Sequence, residues 1–453
     1  GSVNRQGKLM YCFIKNICPN CLYNKMNFIQ KNTLISLILL TLASLKAYTE
    51  ETKNIVSRGK IFSELKPFDE LMEKFVSDNK IPGASLAVAK DGRLVYARGF
   101  GYSDLKKREP VRPDSLFRIA SISKPFTAVA ILQLVEQGKL SLETSVFDLL
   151  PHKPHLAQGA KIDPRLKQIT ISNLLRHQGG WNRKETIDPL FHSIDISTAL
   201  GKTPPASQDD VIRFMMGWPL DFNPGENYNY SNLGYCVLGR VIEQISNQSY
   251  EQYMVNEFLK PIGIESMQLG KTLLPDRLKN EVRYYPKGER YGIAVTGESI
   301  GAKVLWPYGA WYLESFDSLG GWIATATDLV KFASAVDRYQ HSNILKKKMI
   351  EAMIERPEKG HFGNDKKNQP DETYYGYGWS VRPVRNGKSN KWHTGLLSGT
   401  SSILVIRHDG LCWSVLFNTN LTKDNKNPAS KIDPLVHKAA DTITKWPTHD
   451  LLK

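Results

Sequence analysis

Three short strings in the chain carry side chains that can perform acyl transfer. The first places Ser121 three residues before Lys124, in an S-x-x-K pattern. The second is a Y-x-N pattern made by Tyr230 and Asn232, and the third begins at His393. A serine hydroxyl becomes a nucleophile when a neighbouring base takes its proton, and a lysine amine or a tyrosine oxygen can be that base. The strings therefore predict a nucleophilic serine with its own proton-handling groups.

The setting of Ser121 matters because the S-x-x-K spacing by itself is weak evidence. The same spacing recurs at Ser57, Ser63, Ser77 and Ser103. Only Ser121 precedes a long apolar run, residues 126–135, that stops before Gly138. Such a run predicts a helix buried on all sides, and a glycine commonly closes a helix. Ser121 is then expected at the helix N-terminus, where negative charge is favoured, with Lys124 on the same face.

The Y-x-N string lies between a turn and a second helix. A Pro-Gly turn signal at 224–225 precedes it, and an apolar helical run at 233–245 follows it. A nearby cationic lysine stabilises a phenolate, so Tyr230 could accept the serine proton and later pass it to the leaving group. Asn232 could orient Lys124 or the substrate carbonyl. Tyr228 lies two residues earlier and is an alternative candidate for the tyrosine role.

The third string, His393 to Gly395, precedes a stretch at 400–407 that alternates like a strand. A glycine in such a place lets the backbone approach a ligand closely. The N–H groups of Ser121 and Leu396 are the expected donors to the acyl oxygen, and each such donor is typically worth ~2.7 to 4 kcal/mol in the transition state. The string is therefore expected to line the substrate pocket.

Taken in order, S-x-x-K, Y-x-N and H-T-G resemble the motifs of the penicillin-recognising serine hydrolase superfamily. The resemblance covers about residues 62–446 and points to the branch that holds class C β-lactamases, soluble D-alanyl-D-alanine carboxypeptidases, D-aminopeptidases and family VIII esterases. Three further strings look like that branch: I-P-G-A-S at 81–85, L-L-R-H-Q-G-G at 174–180 and G-G-W-I-A-T-A at 320–326.

The resemblance implies a role for each matching residue. It makes Ser121 the acylated nucleophile, with Lys124 and Tyr230 as the proton-handling pair. His177 falls in a structural motif of the helical lobe. No cofactor and no metal are expected. The resemblance assigns Asn232, His393, Thr394 and Gly395 to substrate binding, and Leu396 joins them as the expected oxyanion donor.

The chain departs from β-lactamases and penicillin-binding proteins at His393, where those proteins usually carry lysine. Lysine offers a permanent charge for the carboxylate of penicillin or of a peptide terminus, whereas histidine is mostly neutral at pH 7. The expected activity is therefore esterase-like hydrolysis, through an acyl-enzyme, of an ester or amide that lacks a free carboxylate. The alternatives are a class C-like β-lactamase or D-alanyl-D-alanine carboxypeptidase, and a non-catalytic assembly protein with this fold.

The order of strands and helices predicts the architecture. At 453 residues the chain exceeds the size at which one core keeps growing. Strand-rich sequence at both ends encloses helical sequence, so we expect an α/β plus all-α fold: an antiparallel sheet flanked by helices, with an inserted helical lobe. Residues 48–453 would form the catalytic domain, with the α/β lobe at about 60–140 and 316–447 and the helical lobe at about 141–315.

The first part of the chain has the pattern of a targeting signal. A mostly apolar run of thirteen residues, 33–45, is too short to span a bilayer comfortably but is typical of a signal-peptide core. Residues 1–47 are expected to hold an upstream or vector-derived segment followed by this signal peptide, cleaved near Ala47. The protein would then be exported, periplasmic or secreted. The alternative is an uncleaved anchor that keeps it at a membrane.

Cysteine usage is compatible with export. Cys18 and Cys21 precede the apolar run, and their C-x-x-C spacing has no surrounding redox fold to support it. Cys236 and Cys412 lie in apolar surroundings and are expected to be core thiols.

The charge balance and the aromatic residues limit the kinds of partner that the chain is expected to bind. Of the net charge of +15, residues 1–60 supply +7, with nine Lys or Arg against two Glu. The lysine run 346–348 is expected on a solvated helix face, so no nucleic-acid partner is predicted. The expected partner is a small-molecule or peptide-like ester or amide.

Four aromatic residues near the motifs could line an acyl pocket, although core packing is expected for at least half of them: Trp181, Tyr308, Trp322 and Trp392.

Overall fold

The computed structural model describes residues 55–288, 290–337, 344–360 and 372–453. Residues 56–453 form one compact unit. The predictions about the apolar run 33–45 and about Cys18 and Cys21 lie outside the described residues. No helix among the described residues is both long and apolar enough to cross a membrane.

Strands from both ends of the unit combine into one large sheet. In chain order the strands are β1 (Ser57–Arg58), β2 (Gly83–Lys90), β3 (Arg93–Asp104), β4 (Glu109–Pro110), β5 (Phe117–Arg118), β6 (Gln268–Leu269), β7 (Tyr291–Ile293), β8 (Lys303–Leu305), β9 (Trp322–Ala324), β10 (Tyr374–Tyr375), β11 (Ser380–Pro383), β12 (Ser389–Leu397), β13 (Thr400–Ile406) and β14 (Leu411–Phe417). The main sheet runs β1-β3-β2-β14-β13-β12-β11-β10, with β4 paired to β3. Every pairing in it is antiparallel.

Most of the helices lie in the middle of the chain, between the two groups of sheet strands. The helices are α1 (Lys66–Asn79), α2 (Ser123–Glu136), α3 (Val146–Leu149), α4 (Ile171–Leu175), α5 (Ser193–Ala199), α6 (Gln208–Met215), α7 (Asn232–Ser246), α8 (Tyr250–Tyr253), α9 (Asp317–Gly320), α10 (Ala326–Val336), α11 (Lys347–Met353) and α12 (Pro428–Asp441). A π-helical turn, Met254–Leu259, continues α8.

Helices cover both faces of the sheet, as the side chains of β14 show. Phe417 packs on Phe75 of α1, with ring centroids 5.7 Å apart, and Trp413 packs on His437 of α12 at 4.6 Å. Successive strand residues point to opposite faces. α10 packs on the other face of β14 and β2, where the Cys412 side chain lies. The predicted antiparallel sheet flanked by helices is therefore confirmed, while the lobe boundaries stay a prediction.

Helix α2 has no polar face because it is enclosed on all sides. Its residues from Ser123 to Leu132 are buried. The helix closes at Gly138, which adopts a left-handed φ of +71°. The Gly138 and Lys139 N–H groups return to the carbonyls of Val135 and Leu134. The sequence pattern predicts this ending. Ser121 therefore lies directly before a helix that the surrounding core holds in place.

Two smaller expectations are confirmed. Cys236 and Cys412 are buried and unpaired, and burial raises the pKa of both thiols. The three lysines at 346–348 are exposed at the beginning of α11.

Replacing Phe126 with alanine should destabilise the whole unit. Phe126 is fully buried and its ring stacks on Phe332 with centroids 3.8 Å apart. Emptying such a site typically costs about 3–5 kcal/mol of unfolding free energy. Urea unfolding followed by fluorescence measures the change. Leu105→Ala is the control because Leu105 is 45% exposed. Equal urea midpoints for Phe126→Ala and the wild type would contradict this account.

Candidate active site

The turn that carries Ser121 is held in an unusual backbone conformation. Ser121 lies in a 3-10 turn, Ala120–Ile122, that leads directly into α2. Ala120 has a φ of +48°, a left-handed conformation that costs energy for a residue with a Cβ. The Ile119 carbonyl in front of it accepts a hydrogen bond from Ser402 Oγ of β13 at 2.8 Å. The sheet therefore fixes the turn and, with it, the serine.

Gly395 of β12 is required by this turn. A Cβ at position 395 would lie 2.1 Å from the Ile119 carbonyl oxygen and 2.3 Å from Ser402 Oγ. Neither contact is possible, so only glycine lets β12 lie against the turn. The sequence predicts a close approach to a ligand at Gly395; in the structure, the close neighbour is the backbone in front of Ser121.

Two of the predicted groups meet at Ser121 Oγ. Lys124 Nζ lies 3.2 Å from it, and the Tyr230 hydroxyl donates a hydrogen bond to it at 2.7 Å. Lys124 is fully buried, and its Nζ also donates to Asn232 Oδ1 and to the Leu319 carbonyl, both at 2.8 Å. The structure thus brings together the serine, the lysine, the tyrosine and the asparagine that the sequence singled out.

Burial shifts the proton equilibria of this group toward neutral forms. It lowers the pKa of Lys124 well below the ordinary value; the negative charge of Asp188 opposes this shift and the positive charge of Arg183 adds to it. Burial also raises the pKa of Tyr230, although its hydrogen bond to Ser121 works in the other direction. Both directions favour a neutral amine beside a neutral phenol, which fits Lys124 as a base and does not fit a Tyr230 phenolate beside a cationic lysine.

Asn232 positions the lysine. Ser231 caps the N-terminus of α7, with its Oγ accepting from the Gly234 N–H, and this fixes the first residue of the helix. The Asn232 amide then bridges two groups: Oδ1 accepts from Lys124, and Nδ2 donates to Asp188 Oδ2 at 2.7 Å. Of the two roles proposed for Asn232, the geometry supports the orientation of Lys124.

Two charged residues at the site were missed by sequence reasoning. Arg183 NH1 lies 3.5 Å from Asp188 Oδ2, and the guanidinium carbon lies 4.8 Å from the centroid of the Tyr230 ring. Lys124 Nζ lies at the same distance from that centroid. No spacing rule marks this pair. The single hint is that both residues follow closely on the string at 174–180.

His177 supports the segment that carries Tyr230. Its Nδ1 accepts a hydrogen bond from the Ser231 N–H at 3.1 Å, and its ring lies 4.4 Å from that of Tyr230 and 4.6 Å from that of Tyr375. Burial lowers the pKa of His177, so the ring is neutral. The Tyr228 ring packs edge-on against it at 5.8 Å. Of the two candidate tyrosines, Tyr230 is the one with a recorded hydrogen bond to Ser121 Oγ.

His393 is a neutral residue with both nitrogens occupied. Nδ1 lies 2.7 Å from the Thr394 carbonyl oxygen, so it must carry the proton, and Nε2 then accepts from the Tyr375 hydroxyl at 2.9 Å. Burial lowers the pKa of His393 to about 3. His393 therefore brings no positive charge to the site.

A cavity of about 310 Å³ opens at Ser121. The four aromatic residues considered from sequence do not line it. Trp181 and Trp322 are buried, Tyr308 hydrogen-bonds the Tyr284 backbone, and Trp392 packs under Arg382. The residues that line the cavity are Ala120, Ser121, Arg183, Phe191, Tyr230, Asn232, Phe316, Leu319, Gly320, His393, Thr394, Leu396 and Leu397.

Comparison with known sequences places these residues in context. The family model described as Beta-lactamase matches residues 68–435. Protein flp of Staphylococcus aureus (strain COL) is 28% identical over 344 residues, which are 75% of this chain and 59% of that protein. Penicillin-binding protein 4* of Bacillus subtilis (strain 168) is 26% identical over 389 residues, 85% of this chain and 77% of the relative. The chain thus spans about three fifths of the length of Protein flp.

Solved structures share the fold. The octameric penicillin-binding protein homologue from Pyrococcus abyssi superposes with a TM-score of 0.60 at 26% identity, covering 84% of this chain and 77% of the other. The D-amino acid amidase from Ochrobactrum anthropi SV3 gives a TM-score of 0.63 at 21% identity, with coverages of 84% and 99%. At that identity the amidase is evidence for the fold alone.

The stability of the protein should reflect the titration of His393. The unfolded chain takes up this proton near the ordinary pKa of 6.5, whereas the folded protein does so only near 3. Between these values the unfolded state binds more protons, so the free energy of unfolding falls as the pH decreases. His393→Gln cannot titrate and should show a shallower fall. Urea unfolding at about pH 7 and about pH 4.5 measures this difference.

His192→Gln is the matched control for that experiment, because the His192 side chain is 41% exposed. It should keep the pH dependence of the wild type. An unchanged pH dependence in His393→Gln would show that the folded protein does not hold His393 neutral.

Proposed function

Because the chain belongs to the Beta-lactamase family, a family of serine hydrolases, we propose that it hydrolyses an ester or amide through an acyl-enzyme on Ser121. The observation that carries this proposal is the convergence of Lys124 Nζ, at 3.2 Å, and the Tyr230 hydroxyl, at 2.7 Å, on Ser121 Oγ. The serine lies at a cavity, so a substrate carbonyl can reach it.

Lys124 is the proposed base for acylation. A neutral amine has two hydrogens and one lone pair, and the Asn232 and Leu319 oxygens at 2.8 Å accept the two hydrogens. The lone pair is then left for the Ser121 hydroxyl proton. As that proton moves to Nζ, Oγ forms a bond to the substrate carbonyl carbon. The N–H groups of Ser121 and Leu396 are the proposed donors to the oxyanion that results.

Tyr230 is the proposed proton donor to the leaving group. Its hydroxyl is hydrogen-bonded to Ser121 Oγ, the atom that attacks the substrate carbonyl. It is therefore close to the leaving group, which is bonded to the same carbonyl carbon. The tetrahedral intermediate collapses when the bond to the leaving oxygen or nitrogen breaks, and the leaving atom takes a proton that ultimately comes from Lys124. In deacylation, water gives a proton to the same pair and attacks the carbonyl carbon of the acyl-enzyme. The bond from that carbon to Ser121 Oγ then breaks, Oγ takes the proton back, and the acid product leaves.

Esterase-like activity is the favoured form of this function. His393 is neutral and both its nitrogens are engaged, so β12 offers no cation at the position where lysine is usual in β-lactamases. The second candidate is a penicillin-binding activity, supported by the 26% identity to penicillin-binding protein 4*. A non-catalytic assembly role is the third, and the intact contacts at Ser121 argue against it. We propose export of the protein as well, with the run 33–45 as signal peptide or anchor.

Acylation of Ser121 is the direct test of the proposal. Wild type and Ser121→Ala are each incubated with p-nitrophenyl butyrate and, separately, with a chromogenic cephalosporin, and intact mass and turnover are recorded. We expect ester turnover in the wild type only, with little or stalled cephalosporin acylation. Rapid cephalosporin turnover would favour the β-lactamase alternative. No adduct and no turnover with either compound would leave the non-catalytic role.

The substitution Lys124→Arg tests whether Lys124 acts as a base or only as a positive charge. Arginine keeps the charge but does not lose its proton in proteins, so it cannot accept the serine proton. We expect at least a ~100-fold loss of kcat/KM for p-nitrophenyl butyrate, the lower end of general-base contributions. Lys391→Arg is the control, since Lys391 is buried beside Asp337 outside the cavity. Substantial activity in Lys124→Arg would mean that another group takes the proton.

A further inference from the structure

The cavity at Ser121 contains one permanent cation among the described residues that line it, and that cation is Arg183. His393 also lines the cavity, but it is neutral and both its nitrogens are occupied. Lys124 is fully buried, and its Nζ is satisfied by Ser121, Asn232 and Leu319 oxygens. Among the described residues that line this cavity, the permanent positive charge that can attract an anion is therefore that of Arg183.

Arg183 is placed so that a ligand can reach it. Its side chain is 44% exposed, and the guanidinium lies over the face of Tyr230, whose hydroxyl contacts Ser121. A guanidinium has five N–H donors in a planar fork. The contact with Asp188 is long, at 3.5 Å, and engages one guanidinium nitrogen. Donors of the fork therefore remain for a second carboxylate.

Asp188 positions the guanidinium through an ion pair that offsets part of its charge. Asp188 Oδ2 already accepts a closer hydrogen bond, at 2.7 Å, from the Asn232 amide. Since Asn232 is fixed at the start of α7, the chain Asn232, Asp188 and Arg183 links the cation to the same framework that holds Lys124. The cation is thus tied to the residues that position Lys124 beside the nucleophile.

We propose that the substrate carries a carboxylate and that Arg183 binds it while the scissile carbonyl lies at Ser121. This rests on the proposed hydrolase function and names the substrate class for it. It replaces the expectation, drawn from position 393 alone, of a substrate without a free carboxylate. The cation is present, but it lies in the loop after α4 and not on β12. The apolar lining residues Phe191, Phe316 and Leu319 suit the hydrocarbon part of such a substrate.

Matched ester pairs test this proposal. The first pair is p-nitrophenyl hydrogen adipate and its methyl ester, which differ only in the carboxylate on the acyl part. The second pair is 4-butanoyloxybenzoate and its methyl ester, which place the carboxylate on the leaving group. We expect the wild type to prefer the carboxylate member of at least one pair by about tenfold in kcat/KM, as a charge-assisted pair of this kind supports. Added salt should reduce the preference.

The variants assign the preference to Arg183. Arg183→Met should bring the ratio of kcat/KM values to about one or below, and Arg183→Lys should retain a clear part of it because the charge remains. The ratio is the decisive quantity, since Arg183 also contacts Tyr230 and its loss will change the absolute rate for every ester. Lys184→Met is the matched control: Lys184 is the next residue, is exposed and does not line the cavity. It should keep the wild-type ratio.

The outcomes separate this inference from the proposed function. Turnover of all four esters with no carboxylate preference, or with the same preference in wild type and Arg183→Met, overturns the role of Arg183 and leaves the hydrolase standing. Absence of turnover and of any adduct on Ser121 overturns both. Circular dichroism of Arg183→Met and Arg183→Lys confirms that each variant is folded before the ratios are compared.

Discussion

The burial of one lysine amine is the constraint on which the site depends. An ammonium taken out of water costs several kcal/mol unless it is paired, so a fully buried lysine tends to lose its proton. Lys124 has no exposed surface, and its neighbours are oxygens from the nucleophile turn, from the first residue of α7 and from α9. The convergence of these elements both satisfies the amine and brings it to Ser121.

The sheet provides the rigidity that this arrangement requires. Ala120 holds a strained left-handed conformation, which persists only where the surroundings fix it. The neighbouring strands do so: Ser402 of β13 bonds the Ile119 carbonyl, and Gly395 of β12 leaves room for that carbonyl to approach. A buried helix behind the turn and a sheet beside it thus restrict the serine from two sides.

Charge at the site is distributed differently from what the motif string alone suggests. The strand position that usually holds a lysine in β-lactamases is here a neutral histidine, with both nitrogens used within the protein. A permanent cation stands instead at Arg183, fixed by Asp188 and Asn232. The two facts together give a cavity that is apolar on much of its surface and has one guanidinium among its described lining residues.

The sequence by itself determined what depends on short-range geometry. Ser121 and Lys124 are about one helical turn apart, so their spacing predicts that they lie close together. The apolar run that ends before Gly138 predicts a buried helix. The antiparallel sheet flanked by helices could be predicted from alternation and from the order of the elements. Only the tertiary structure decided the protonation of Lys124 and Tyr230, the reason for Gly395 and the presence of Arg183 at the cavity. Burial, backbone contact and loop position depend on residues far apart in the chain, and no local pattern encodes them.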